Sequence, residues 1–506
     1  MNEMAWGQTW PSPAEFPQVA TDRALVPVVR RLLAEELTAV GVYRHLAAGQ
    51  DGTFLLESAE HGGAWGRWSF IGVRALAHCT GTIEHVRWQG QLPAGVPRQG
   101  PALPVLEQSL AALQSAPLPG LPPLAGALVG ALGWDLVYAW EPTLRRQAPA
   151  ELALPDVALL LAGDVVALDH AAGEMWLITL TDPTTHDAYQ AAVDRLDQMQ
   201  QALAAPAAPA LAAQGQAEAG EVRHRTAATD FQAAVRAAQE AIVDGEVFQV
   251  VLSQRTDVDC AASPLAVYRA LRTINPSPYM YLLNLQADGE PFSVVGSSPE
   301  TLVRVQEGSV QTFPIAGSRP RAAAPQTDQA RAAELLADPK ELSEHTMLVD
   351  LARNDLTKVC RPESIAVNPL MEIKRFSHIM HISSTVRGQL RPGKTALDAL
   401  VATFPAGTLS GAPKPRAVEL IDTLEPVRRG LYGGVVGYFD FAGNADLAIA
   451  IRTAVLRRGV AHIQAGAGVV ADSVPQLEHE ETRHKAAAVV RAVQLAASLA
   501  PLAGEE

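Results

Sequence analysis

The chain has 506 residues, 48% of them hydrophobic and 19% charged, with a formal net charge of -14; this is a globular composition, long enough for two or more domains. The acidic balance and the lack of any Lys/Arg run exclude a phosphate backbone as partner, so no nucleic acid is expected. Cys79, Cys260 and Cys360 stand far apart without C-x-x-C spacing, which excludes a disulfide framework and fits a reducing compartment.

The N-terminal residues 1–13 lack the basic and apolar regions of a signal peptide. Residues 24–39 read as helix, 53–57 and 127–132 as strands, and 188–203 as helix, so the first part is mixed α/β. The most apolar stretch, 154–168, is interrupted by Asp156 and Asp164, which speaks against a membrane span and for a cytoplasmic protein. Between 201 and 220 the chain is almost pure Ala, Pro, Gln and Gly, which buries little surface. The expected organisation is an N-terminal α/β domain over 1–204, a linker or loop over 205–222, and a second domain over 223–506.

Past the linker, Phe231, Val235, Ala238 and Ile242 recur at helical spacing, with Thr229 and Asp230 as cap residues and Asp244-Gly245 as the stop. A strand is expected over 247–255. Lys340-Glu341-Leu342-Ser343-Glu344-His345 places two carboxylates three residues apart, on one face of the helix that Met347, Leu348 and Leu351 indicate. His378 and His381 lie in a mixed polar and apolar segment, 376–384, suited to holding an imidazole over a pocket or simply structural.

Residues 434–441, 446–456 and 460–465 read as an antiparallel meander. In its middle run Ala448, Ala450, Arg452 and Ala454 share a face, so the lone Arg452 has room to clamp a carboxylate; an exposed sheet-edge Arg is the alternative. Gly466-Ala467-Gly468 follows, where glycine lets main-chain N–H groups approach an anion. A last helix over 476–497 repeats the carboxylate spacing at Glu478 and Glu481, with Lys485 one turn beyond. Taken singly each pair is equally a solvated helix face. Two facing pairs would supply the hard oxygen ligands that Mg2+ prefers. No nucleotide-binding fingerprint is present.

The strings around these positions resemble one family, the chorismate-utilising enzymes, and within it the large-subunit branch of anthranilate synthase. They are L-L-E-S at 55–58, R-W-S-F-I-G at 67–72, N-P-S-P-Y-M at 275–280, G-S-S-P-E at 296–300 and P-I-A-G-S-R-P-R at 314–321. E-H-T-M-L-V-D-L-A-R-N-D-L at 344–356, F-P-A-G-T-L-S-G-A-P-K at 404–414 and the segment 466–473 continue the series.

The resemblance implies an α/β (α+β) fold of layered antiparallel sheets flanked by helices, and an enzyme that converts chorismate and ammonia to anthranilate and pyruvate. It implies that Glu344 and Glu481 hold Mg2+, that Glu341 is the general acid, and that His381 and Thr408 stand at the reacting ring. Gly317, Ser318, Tyr432, Arg452, Gly466, Ala467 and Gly468 would hold the rest of chorismate. It further implies inhibition by L-tryptophan at Ser58, Pro278, Tyr279 and Met280. Relatives that add water carry Lys where this chain has Gln249, and aminodeoxychorismate synthases usually carry Lys at the position of Ala316. No cysteine lies in a G-x-C-x-G context, so either a separate glutamine amidotransferase subunit, and hence a hetero-oligomer, or activity with free ammonium alone is expected. Ser318, Ala322, Val474 and Gln476 depart from the family pattern without removing a ligand.

Overall fold

The computed structural model describes residues 4–58, 66–205, 211–215, 220–375 and 379–501. Every strand pairing among them is antiparallel. The architecture is therefore the expected one, a mixed α/β fold of antiparallel sheet flanked by helices. No helix among the described residues is long and apolar enough to cross a membrane.

The apolar stretch near 154–168 becomes the strand Val157–Asp169, buried along its whole length. Such a strand needs cover on both faces, and it is the root from which two arms of one sheet spread. One arm runs through Trp68–Gly81 and Thr53–Glu57 to Tyr279–Ala287, Glu290–Ser298, Thr453–Arg457, Val460–Val469 and Gln249–Asp259. The other runs through Ala127–Leu132 to Val435–Asp440, Ala445–Ile449, Thr301–Gln306 and Ser309–Thr312. Residues on either side of the Ala/Pro-rich stretch thus share one hydrogen-bonded sheet. A separate three-stranded sheet, Ile315–Pro320, Ile379–Ser383 and Glu372–Arg375, carries two helices, Pro325–Ala337 and Pro339–Thr357, over a small core of Ala332, Leu335, Met380 and Ile382.

Several expectations are corrected. Residues 24–39 are not a helix: Val26–Leu33 is a strand paired with Glu174–Thr181, and helix begins only at Ala39. Pro27 and the β-branched run Val26, Val28, Val29 defeat the helical spacing. The helix Ala228–Val243 starts earlier than Thr229 and takes no side-chain cap from it. The middle run of the meander is not one strand, since Ala445–Ile449 and Thr453–Arg457 belong to different arms, and Arg452 between them has φ +52°. Its face alternation therefore does not hold. Gly466–Gly468 lies inside the strand Val460–Val469 rather than after it. Within the linker, Ala212–Gln214 pairs with Leu499–Pro501. The three cysteines are free and buried.

Candidate active site

Two helix starts bring the carboxylates together. Asp338 caps Pro339–Thr357, accepting from Lys340 N at 3.0 Å and Glu341 N at 3.4 Å, and Pro339 fits the first turn, which needs no N–H there. Glu341 and Glu344 therefore sit in the first turns, as their spacing suggested. The last helix, Pro475–Ser498, also opens on proline and presents Glu478 and Glu481 in the same manner. The Glu344 carboxyl is pushed above its ordinary range by burial and by the charges of Glu341 and Glu481. Burial likewise raises Glu478, with Glu481 adding to it and Ser473 opposing. Like charges that raise one another's proton affinity mark a place where a cation is favoured. Lys485 partly answers them: it lies 2.6 Å from Glu481 and donates to Gly466 O at 3.0 Å.

The other half of the site is made where the chain passes from one sheet arm to the other. Glu290–Ser298 crosses to Thr301–Gln306 through Pro299-Glu300, and Ala445–Ile449 crosses back to Thr453–Arg457 through Ala450–Arg452. The crossings are tied side by side: Ile449 N donates to Glu300 O at 3.0 Å, Ser297 N to Arg452 O at 3.1 Å, and Ser298 Oγ to Ile449 O at 2.7 Å. Bends of this kind form corners between packed sheets. Arg452 holds a left-handed conformation that costs a non-glycine residue roughly 1–2 kcal/mol. Arg452 is half-buried, desolvation lowers its proton affinity, and no carboxylate pairs with it among the described residues. A half-buried guanidinium without a carboxylate partner is a strong donor to a carboxylate ligand.

Glu300 is half-buried, and desolvation pushes its carboxyl up to about 7 against the opposing effects of the Thr408 hydroxyl and the Lys485 charge. Thr408 Oγ1 donates to Glu300 Oε1 at 2.8 Å. The loop carrying Thr408 is held by Arg429, which donates to Leu409 O at 2.7 Å and Val251 O at 2.7 Å, and whose guanidinium lies 5.4 Å from the Tyr432 ring centre. Tyr432 is buried and its hydroxyl is driven above its ordinary range chiefly by burial. A Cβ on Gly466 would meet the Tyr432 hydroxyl at 2.7 Å, so glycine is needed for that approach.

His381 faces the small sheet's own edge. Its Nδ1 lies 2.8 Å from Gly317 O, and burial lowers its proton affinity, with Arg452 assisting and Gly317 O and Glu341 opposing. Gly317 is a bulge opposite this strand, between Ala316 and Ser318, and Ser318 pairs with His381. From Gln464 onward Val460–Val469 is paired on one edge only, with Gln249–Asp259. Alternate N–H groups of 466–468 therefore point away from the ladder. A Cβ on Gly468 would meet Gln249 Nε2 at 2.6 Å, placing the amide beside this edge.

Glu341, Glu344, Glu481, His381, Gly317, Ser318, Thr408, Tyr432, Arg452 and Gly466–Gly468 thus converge on one site. His378 lies outside the described residues. Two participants were missed in the sequence: Glu300, whose signal was an acid after Ser-Ser-Pro between two strands, and Lys485, visible only as a cation one turn from Glu481. Ser58, Pro278, Tyr279 and Met280 meet elsewhere, in a cavity of about 780 Å³ between the two arms. Among the described residues no group of three or more His, Cys, Asp or Glu is arranged to hold a metal ion. The paired carboxylates suit instead an ion that keeps most of its coordination for water and substrate, as Mg2+ does.

The family model described as chorismate binding enzyme matches residues 54–491. The chain is 50% identical over 500 residues to anthranilate synthase component 1 of Arthrobacter globiformis, covering 97% of this chain and 94% of that one. It is 50% identical to the protein of the same name from Mycolicibacterium smegmatis, covering 96% and 94%. The crystal structure of anthranilate synthase component I from Streptococcus pneumoniae TIGR4 superposes with a TM-score of 0.75 at 32% identity, over 90% of this chain and 98% of that one.

Proposed function

Because this chain belongs to the chorismate-binding enzymes, we propose that it is the chorismate-converting component of an anthranilate synthase. The reaction is chorismate plus ammonia giving anthranilate, pyruvate and water: the amine enters the ring, the ring hydroxyl leaves as water, and pyruvate is then expelled as the ring aromatises. The observation that carries the reading is a carboxylate cluster, Glu341, Glu344, Glu478 and Glu481, beside His381, which feels the charges of both Glu341 and the Arg452 guanidinium. A dianionic substrate entering an acidic protein needs both a cationic clamp and a place for a metal to offset its desolvation.

Arg452 holds the enolpyruvyl carboxylate, and the free-edge N–H groups of 466–468 and Tyr432 line the same end. Glu344 and Glu481 would hold Mg2+, which when bound neutralises the ring carboxylate. The departing hydroxyl needs a proton. Glu341 was expected to give it, but its carboxylate is engaged by Arg319 at 3.1 Å. Glu300, raised by burial to about 7 and aligned by Thr408, is the better donor near neutral pH. Glu341 then acts with Arg319 to orient the first turn of its helix. His381, held at Nδ1 by Gly317 O, presents its other ring nitrogen to the ring.

The same reading includes a glutamine amidotransferase partner, a cytoplasmic setting, and a catalytic part in 223–506 regulated through 1–204. Tryptophan would bind in the cavity that Ser58 and Pro278–Met280 share. Ser58 Oγ is buried there with no hydrogen-bond partner among the described residues, as expected of a group that receives a ligand's polar atom. The test is incubation of the purified chain with chorismate, Mg2+ and ammonium, following anthranilate fluorescence and pyruvate with and without tryptophan. Anthranilate formation suppressed by tryptophan supports both sites; a product that retains the enolpyruvyl group, or bound but unconverted chorismate, overturns the reading.

A further inference from the structure

The wall of the 780 Å³ cavity carries two tyrosines from one strand, Tyr279 and Tyr281, on either side of Met280. Both reach out of the cavity toward the two chain crossings that hold the active site. Tyr279 Oη lies 2.9 Å from Thr301 Oγ1, next to Glu300, and donates to Asp446 Oδ1 at 2.7 Å. Arg304 in turn holds Asp446 at 2.6 Å, so the Tyr279 hydroxyl is fixed on the second arm of the sheet. Tyr281 pairs with Gly296, and Gly296 with Thr453, so the three stand in register across three strands. The Tyr281 ring crosses directly over Gly296, where a Cβ would sit 2.1 Å from the ring, and its hydroxyl meets Thr453 Oγ1 at 2.6 Å. Thr453 Oγ1 also donates to Ile451 O at 2.7 Å, inside the crossing that strains Arg452.

Resting on the reading of this cavity as the tryptophan site, we infer that Thr301 and Thr453 are positioning residues that carry the cavity's occupancy to Glu300 and Arg452. A ligand that shifts the Tyr279–Tyr281 segment moves two hydroxyl contacts at once. One adjoins the proposed proton donor, the other the clamp for the substrate carboxylate. Because each threonine is the first residue of its strand, paired with Ala448 or Gly296 and one residue from its client, a displacement of its hydroxyl is passed directly to the adjoining crossing. The coupling must be reciprocal: tryptophan weakens chorismate binding by the factor with which chorismate weakens tryptophan binding.

The experiment measures tryptophan Kd by calorimetry with and without saturating chorismate, the turnover of the wild-type chain being blocked by omitting ammonium, for wild type, Thr453→Val, Thr453→Ser and Thr301→Val. The wild-type ratio of the two constants is expected at about five-fold or more. Both valine variants keep the tryptophan Kd measured without chorismate, while their ratio falls toward one; Thr453→Ser restores it. A purely structural role would lower the melting temperature and leave the ratio alone. Where Thr453→Val does not fold, Tyr281→Phe removes the same contact from its other end. Wild-type ratios in both valine variants overturn the inference while leaving the function intact; a wild-type chain that makes anthranilate but does not bind tryptophan overturns the regulatory reading and this inference together.

Discussion

Gly317 and Glu341 leave no space between them: a Cβ on Gly317 would lie 2.7 Å from Glu341 Oε2 and 3.1 Å from Leu335 Cδ1, and Gly317 holds φ +65°. Gly317→Ala therefore meets two costs. The left-handed backbone costs about 1–2 kcal/mol, and the methyl pushes the carboxylate off Arg319. We expect kcat/KM for chorismate to fall at least about ten-fold, with a lowered melting temperature. Gly393 also has positive φ, +80°, but open space around it. Gly393→Ala should reproduce the stability loss without the activity loss; equal activity losses would show that backbone strain alone, not the Glu341 contact, matters at 317.

Glu300 gives a pH dependence of known sign. Its folded pKa, about 7, is raised from 4.5 by burial. The folded state thus binds this proton more tightly, so the stability it contributes is complete below about 4.5 and lost as pH rises through about 7, amounting to ~3 kcal/mol. Glu300→Gln removes that dependence and should be more stable than wild type at pH 8 but not at pH 4.5, as urea melts would record. In kinetics the wild type should lose kcat/KM above pH 7 as the acid deprotonates. The Gln variant should be slower by about a hundred-fold or more. A wild-type rate still rising through pH 8 would remove Glu300 as the proton donor.

How much of this was readable beforehand differs by level. Helices with a clear period and a proline start, Pro339–Thr357 and Pro475–Ser498, were legible, and so was the shared face of Glu341 with Glu344. The corner at Arg452 was not, because its alanines continue a period of two straight through a position where the chain changes sheet arm; only pairing with Ser293–Gly296 breaks the run. Residues 24–39 failed for a related reason, since a strand partner 141 to 155 positions away outweighed local helical spacing. Motif resemblance assigned no role to Glu300, whose raised carboxyl depends on desolvation that no local string reports.

Asp164 was read only as a break in an apolar run, yet it is fully buried and holds two guanidinium groups. Arg74 donates to it at 2.9 and 3.1 Å and Arg195 at 3.0 Å. The strand Trp68–Gly81 bulges there so that Arg74 stands opposite Asp164. Asp164→Ala leaves two half-buried guanidinium groups without their shared partner and should destabilise the chain by about 1.5–3 kcal/mol. Asp350→Ala, breaking an exposed i,i+3 pair with Arg353 at 3.1 Å, should cost under about 1 kcal/mol. Similar denaturant midpoints for the two variants would contradict the role of Asp164 as the tie between the root strand and the helix Ala188–Ala204.

Glu344 and Glu481 raise a question that metal addition answers without a turnover assay. Burial and the charges of Glu341 and Glu481 already hold the Glu344 carboxyl above its usual range. A divalent cation would relieve that repulsion, and binding to the folded state alone stabilises it by about 2.7 kcal/mol at a hundred times Kd. Mg2+ should therefore raise the wild-type melting temperature and EDTA reverse the rise. Glu344→Gln and Glu481→Gln remove one ligand and part of the repulsion together, so each should melt at or above the metal-free wild type yet gain little from Mg2+. A variant pair that keeps the full Mg2+ shift would place the ion elsewhere, and a wild type with no shift in the presence of chorismate would remove Mg2+ from these carboxylates.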